Sequence, residues 1–173
     1  DQRINSSIVP AGTTSYRDTT VEPGQDYDYF FKVVLTDMSE SESSNTATGT
    51  PLDTIPAVIS HSAINSAQPN LALSLAAGIT DNVSVVGATL FYRLAGSGAD
   101  YTSREMVNAT GDRFTVTLEG SLLQPPGIEY YLSATDGVST TYSGRGETPY
   151  LIVVDDKPVV TGLTPNRGPA SGG

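Results

Sequence analysis

The 173-residue chain has no cysteine and no tryptophan, a single histidine, and Lys32 and Lys157 as its only lysines. Without cysteine there are no disulfides, no thiolate nucleophile and no Cys-type zinc site. The lone histidine, His61, cannot by itself supply the several nitrogen or sulfur ligands that zinc prefers. A hydrolytic triad would need it beside a nucleophile, and in AVISHS it reads as a structural or exposed strand residue. With 19 acids against 9 bases the net charge is −10, a balance that repels a polyanion such as DNA. The acids are spread out, which reads as solubility. No apolar stretch approaches the roughly 18 residues of a membrane span. The opening DQRINSS lacks the basic-then-apolar pattern of a signal peptide, so the chain is expected to be a piece of something longer.

What is present favours strands. The chain holds 17 Gly and 11 Pro at 38% apolar content, which suits short strands joined by many turns. Thr13 to Val21 is Thr- and Tyr-rich and reads as a strand. Tyr27 to Leu35 follows, with Tyr27, Tyr29, Phe31, Val33 and Leu35 on one face. A weaker strand covers Thr46 to Thr50, and the Pro-bounded connector PLDTIP (51–56) marks a boundary. The pattern then restarts, with strands expected at 57–62, 71–79, 87–95, 103–107, 113–119, 128–136 and 150–154. Asp81-Asn82, Gly96-Ser97-Gly98, Thr110-Gly111-Asp112, Pro125-Pro126-Gly127 and Asp136-Gly137 supply turns between them. Seven short strands in about 100 residues is the spacing of an immunoglobulin-like sandwich.

One phrase is written twice. Pro23-Gly24-Gln25-Asp26-Tyr27 and Pro126-Gly127-Ile128-Glu129-Tyr130 share Pro-Gly, a variable residue, an acid and a tyrosine. In sandwich domains a tyrosine near the start of strand F can hydrogen-bond back to the E–F corner, and Pro-Gly supplies the bend before it. Pro23, Gly24 and Tyr27, and Pro126, Gly127 and Tyr130, are therefore expected to form equivalent structural corners in two successive units. The acid before each tyrosine would face solvent.

The pattern Val21-x-Pro23-Gly24-x-x-Tyr27-x-Tyr29-x-Phe31-x-Val33 resembles the E–F corner and F strand of a fibronectin type III domain, so residues 1–54 resemble its C-terminal half. The half with that family's strand-B tryptophan has no counterpart. Residues 55–157, through PAVISH, ITDNVSVVGATLFYRLAGSG and PGIEYYLSATDG, are similar to a bacterial immunoglobulin-like module. Residues 158–173, with LTPNRGPASGG, resemble the opening of an IPT/TIG domain. The resemblance implies an all-β tandem of immunoglobulin-like and fibronectin type III-like β-sandwiches. It also implies a fragment of a large bacterial secreted or cell-surface protein.

The expected role is a non-catalytic spacer and interaction module without nucleic-acid or membrane partners; an accessory, weakly polysaccharide-contacting segment of a secreted hydrolase is the alternative. A half-sandwich would leave Tyr27, Tyr29, Phe31, Val33 and Leu35 uncovered. At about 1.5–3 kcal/mol for each large side chain, that is about 7–15 kcal/mol of burial seeking a partner. Whole domains are stable by only about 5–15 kcal/mol. Self-association or packing on a neighbouring module is therefore expected. No catalytic residues are assigned: Asp155 and Asp156, adjacent on a strand, would point to opposite faces, and neither they nor Asp136 forms a recognisable carboxylate pair. The cofactor expectation is none, with calcium as the one chemical option, since it takes six to eight oxygens and module junctions can supply them. Its candidate ligands are the loop residues Asp81, Asn82, Asp136, Asp155 and Asp156, with Asp53 and Glu147. EF-hand spacing is absent, and solvated turn acids are the plainer reading. If the paired strands are regular, Phe91-Tyr92 and Tyr130-Tyr131 must each send one ring outward, and Tyr92 or Tyr131 is the expected contact.

Overall fold

The computed structural model describes residues 2–146 and 148–155. The protein is all-β: among the described residues there is no α-helix, and only a single 3-10 turn, Gly120–Leu122, interrupts the strands. The first two strands, β1 (Tyr27–Tyr29) and β2 (Ala47–Gly49), make a separate antiparallel ladder. The remaining ten are β3 (Val58–Ser60), β4 (Ser66–Ala67), β5 (Leu73–Thr80), β6 (Gly87–Leu94), β7 (Thr102–Glu105), β8 (Val107–Thr110), β9 (Arg113–Leu118), β10 (Gly127–Thr135), β11 (Thr140–Ser143) and β12 (Tyr150–Val154). They form a four-stranded sheet, β3-β5-β9-β8, and a six-stranded sheet, β4-β12-β10-β6-β7, in which β11 also pairs with β10.

Alternation of side chains builds the core between these sheets. Leu75, Ala77 and Ile79 of β5 are buried together with Phe114, Val116 and Leu118 of β9. From the other sheet come Leu90 of β6, Ile128, Tyr130 and Leu132 of β10, and Ile152 and Val154 of β12. All belong to one apolar cluster, so the sheets face each other in a sandwich-like arrangement. The seven strands expected from residue 57 onward are all present, as β3, β5, β6, β7, β9, β10 and β12. The short β4, the separate β8 and β11 lie outside that expectation, because each has only two to four residues and an exposed or half-exposed pattern.

Residues before the connector depart further from the expected pattern. Thr13–Val21 forms no strand, although its composition favours one: no neighbouring chain pairs with it among the described residues. The strand expected over Tyr27–Leu35 stops at Tyr29. Beyond it the N–H groups of Phe31 and Val33 donate to the hydroxyls of Ser44 and Ser41 (3.0 and 2.9 Å), while the N–H groups of those serines donate back to the carbonyls of Phe31 and Val33. Serine side chains thus take the donors that a ladder would use, and only an isolated bridge, Val34 to Glu40, remains. Phe31, Val33 and Leu35 are exposed, whereas Tyr27 and Tyr29 are half-buried.

Candidate metal centre

Strand pairing brings three loops to one pole of the two-sheet unit. Val58 at the start of β3 pairs with Thr80 at the end of β5, so the 51–57 connector arrives beside Asp81. Thr135 at the end of β10 pairs with Gly87 at the start of β6, and the Val86 N–H donates to the Thr135 carbonyl (2.8 Å). The Asp81–Val86 loop and the turn beginning at Asp136 therefore lie side by side. Asp53, Asp81 and Asp136 converge there, each with a carboxylate oxygen within 4.8 Å of the other two.

Each carboxylate is held by its own loop. Asp53 Oδ1 accepts from the Ile55 N–H (3.0 Å) and from Asn82 Nδ2 (3.2 Å). Asp81 Oδ1 accepts from the N–H groups of Val83 and Ser84, both at 2.8 Å. Asp136 Oδ1 accepts from the N–H groups of Val138 (2.7 Å) and Ser139 (2.6 Å), and its Oδ2 from the Ser139 hydroxyl (2.7 Å). These donors, the Ser139 N–H foremost, hold the Asp136 carboxyl below its ordinary pKa and keep it ionised. The second oxygens of Asp53 and Asp81 are buried and accept no hydrogen bond from the described residues. Asp53 as a whole is only 7% exposed. The three ion pairs among the described residues are Lys32–Glu40, Arg93–Glu129 and Arg104–Glu119, so no cationic side chain among them pairs with the cluster.

The other loop residues named from sequence fall elsewhere. Asn82 stands beside the cluster, and its amide nitrogen orients Asp53. Asp155 follows β12, whose last residues pair with the start of β10, at the pole opposite Asp136. It is exposed there and does not join the group. Asp156 and Glu147, like the 158–173 segment, lie outside the described residues.

The two tyrosine corners differ. Tyr27 accepts from the Glu22 N–H (2.9 Å), five residues back across the Pro23-Gly24 turn. Tyr130, also just after its Pro-Gly, reaches a more distant backbone: its hydroxyl accepts from the Ile64 N–H (3.1 Å), not from the turn that precedes it. That hydroxyl also lies 2.8 Å from His61 Nε2, while His61 Nδ1 lies 2.8 Å from the Ala76 carbonyl. A carbonyl can only accept, so Nδ1 carries the proton and Nε2 receives the tyrosine's. His61 is thus a structural residue, with its ring edge-on to Tyr130 and Tyr150. Gly127 has φ +118°, and a Cβ there would collide with the Ile152 carbonyl, so glycine lets β10 start against β12.

The outward rings are Phe91 and Tyr131; Tyr92 is buried in the core. The one-residue difference follows from strand phase, since Leu90 and Tyr92 share the inward face. Phe91 stacks on Tyr131 at 4.7 Å between ring centroids, with Tyr101 edge-on at 4.8 Å and Tyr142 at 6.3 Å. The guanidinium groups of Arg93 and Arg145 lie over Tyr101 and Tyr142 at 4.4 and 4.0 Å. Arg93 also pairs at 2.8 Å with Glu129, the acid preceding Tyr130. The Gly96 N–H and then Arg93 hold the Glu129 carboxyl below its ordinary pKa. Tyr101 and Tyr142 were outside the sequence expectation because they sit on other strands or loops, and only the folded sheet gathers them.

No protein-family model matches the chain, and no curated protein matches it.

Proposed function

We propose that the chain is a non-catalytic spacer and interaction segment of a multidomain bacterial protein, secreted or at the cell surface. In this reading successive β-sandwich units, a fibronectin type III-like half at 1–54 and an immunoglobulin-like unit at 55–157, space or present neighbouring domains. The immunoglobulin-like part is supported by strand order: with β3, β5, β6, β7, β8, β9, β10 and β12 lettered A, B, C, C′, D, E, F and G, the sheets run A-B-E-D and G-F-C-C′. The short β4, parallel to β12, extends the second sheet.

The observation that carries the spacer role is the docked connector. Asp53 is buried and bonded across to Asn82, and the Gly24 N–H donates to the Pro51 carbonyl (3.0 Å). A Cβ on Gly24 would stand 2.9 Å from a Val83 methyl, so the first unit's corner turn rests on the second unit's 81–86 loop. Backbone nitrogen-15 relaxation on the 173-residue chain tests this. One shared correlation time for residues 20–50 and 57–154 is expected, and two distinct values would refute the spacer role.

A second reading, an accessory segment touching polysaccharide, is favoured by the Phe91, Tyr101, Tyr131 and Tyr142 cluster, since flat aromatic faces suit sugar rings. Polysaccharide pull-down with the native chain and with Tyr131→Ala decides it; retention by neither removes this reading. Contact with protein is the further part of the proposal. The exposed Phe31, Val33 and Leu35 surface offers a place for a neighbouring module of the same chain or a second copy.

A further inference from the structure

We propose that Asp53, Asp81 and Asp136 bind one calcium ion, which clamps the connector onto the pole of the second β unit. The cluster by itself would be ordinary surface acidity. Asp53 makes it more than that, being more than nine-tenths buried with an oxygen that accepts no hydrogen bond. A buried polar atom without a partner is destabilising unless something outside the chain satisfies it. The neighbouring Asp81 oxygen is in the same condition. Two carboxylates, each with a buried oxygen that no described residue satisfies, converge on a third with no cationic side chain among the described residues paired to them, and this calls for a cation.

Geometry and donor type select which one. Calcium holds oxygens at about 2.3–2.6 Å, so two of its ligands lie at most about 5 Å apart. The three carboxylates already meet that limit, with oxygens within 4.8 Å of one another. Each is locked by loop donors on the Oδ1 side, so little rearrangement is needed. The three donors are all hard oxygens, unlike the nitrogen and sulfur sets of zinc or copper. Magnesium demands a near-ideal octahedron, whereas calcium accepts an irregular set completed by water. Asp53 belongs to the connector and the other two to the second unit's loops, so the ion would cross-link them.

This inference goes beyond the spacer reading and can fail separately from it. Isothermal titration calorimetry of the calcium-free 173-residue chain with CaCl2 is expected to show one ion per chain, with Kd near the roughly 0.1–1 mM typical of extracellular modules. Calcium at about one hundred times Kd should raise the melting temperature by about 5–10 °C. Asp81→Asn and Asp136→Asn, which keep the Oδ1 acceptor of each turn, should weaken binding at least tenfold and melt no lower than the native chain without calcium. Asp155→Asn, at the opposite pole, should bind as the native chain does. Proteolysis within 51–56 should slow in calcium. No heat and no melting shift at about 10 mM CaCl2 would overturn the site, as would an equal response to magnesium or an equal loss in Asp155→Asn. Calcium binding accompanied by two correlation times would leave the site standing and remove the spacer role.

Discussion

At the scale of single residues, Tyr130 places a phenol hydroxyl inside the apolar core. It is fully buried, yet its hydroxyl has a complete set of partners in Ile64 N–H and His61. Tyr130→Phe keeps the ring and leaves both partners unsatisfied, so a loss of about 1–3 kcal/mol in urea unfolding is expected. The same residue gives a pH signature. Burial, only partly offset by the Ile64 N–H, raises the Tyr130 pKa in the folded state. The unfolded chain ionises this tyrosine near pH 10. Its stabilising share is therefore complete below about pH 10 and is lost as pH climbs from there through the raised folded value. Stability measured from pH 8 to 11 should fall less steeply in Tyr130→Phe; identical slopes would show that Tyr130 ionises alike in the folded and unfolded chain.

Elements follow from the period of the side chains where both faces have work to do. The strands β5, β6 and β9 alternate buried and less buried residues, β10 is buried along most of its length, and each of the four pairs with a neighbour on both sides. β1 has the same alternation in sequence without that support, and its continuation frays into serine-capped turns. Its apolar residues are consequently open: Phe31 is 68% exposed. Phe31→Ser should change the unfolding free energy by less than about 0.5 kcal/mol, because little is buried there. It should also lower any concentration-dependent mass seen by light scattering. An unaltered self-association would direct that role to another surface.

For the whole molecule, net charge and the junction act together. A balance of −10 makes the folded chain repel itself, most of all where Asp53, Asp81 and Asp136 converge. Raising NaCl from about 10 to 150 mM shortens the screening length from about 30 to 8 Å. The melting temperature without calcium is expected to rise over that range. The rise should be smaller in Asp81→Asn, whose cluster has lost one charge, and equal rises would place the dominant repulsion elsewhere.

Sequence alone fixed the class of element and most strand positions from residue 57 onward, because period-two alternation and Gly/Pro turns act over a few neighbours. It also marked Asp53, Asp81 and Asp136 as loop acids, since each stands at a connector or turn. The tertiary structure decided that these three meet while Asp155 does not, because proximity between residues 83 positions apart depends on which strand ends share a pole. It likewise separated Tyr130 from Tyr27. The Pro-Gly phrase sets a local bend in both places, but the hydroxyl's partner differs: Tyr27 takes the Glu22 N–H of its own turn, whereas Tyr130 takes the Ile64 N–H, 66 residues away in sequence, which only the packed fold brings to it.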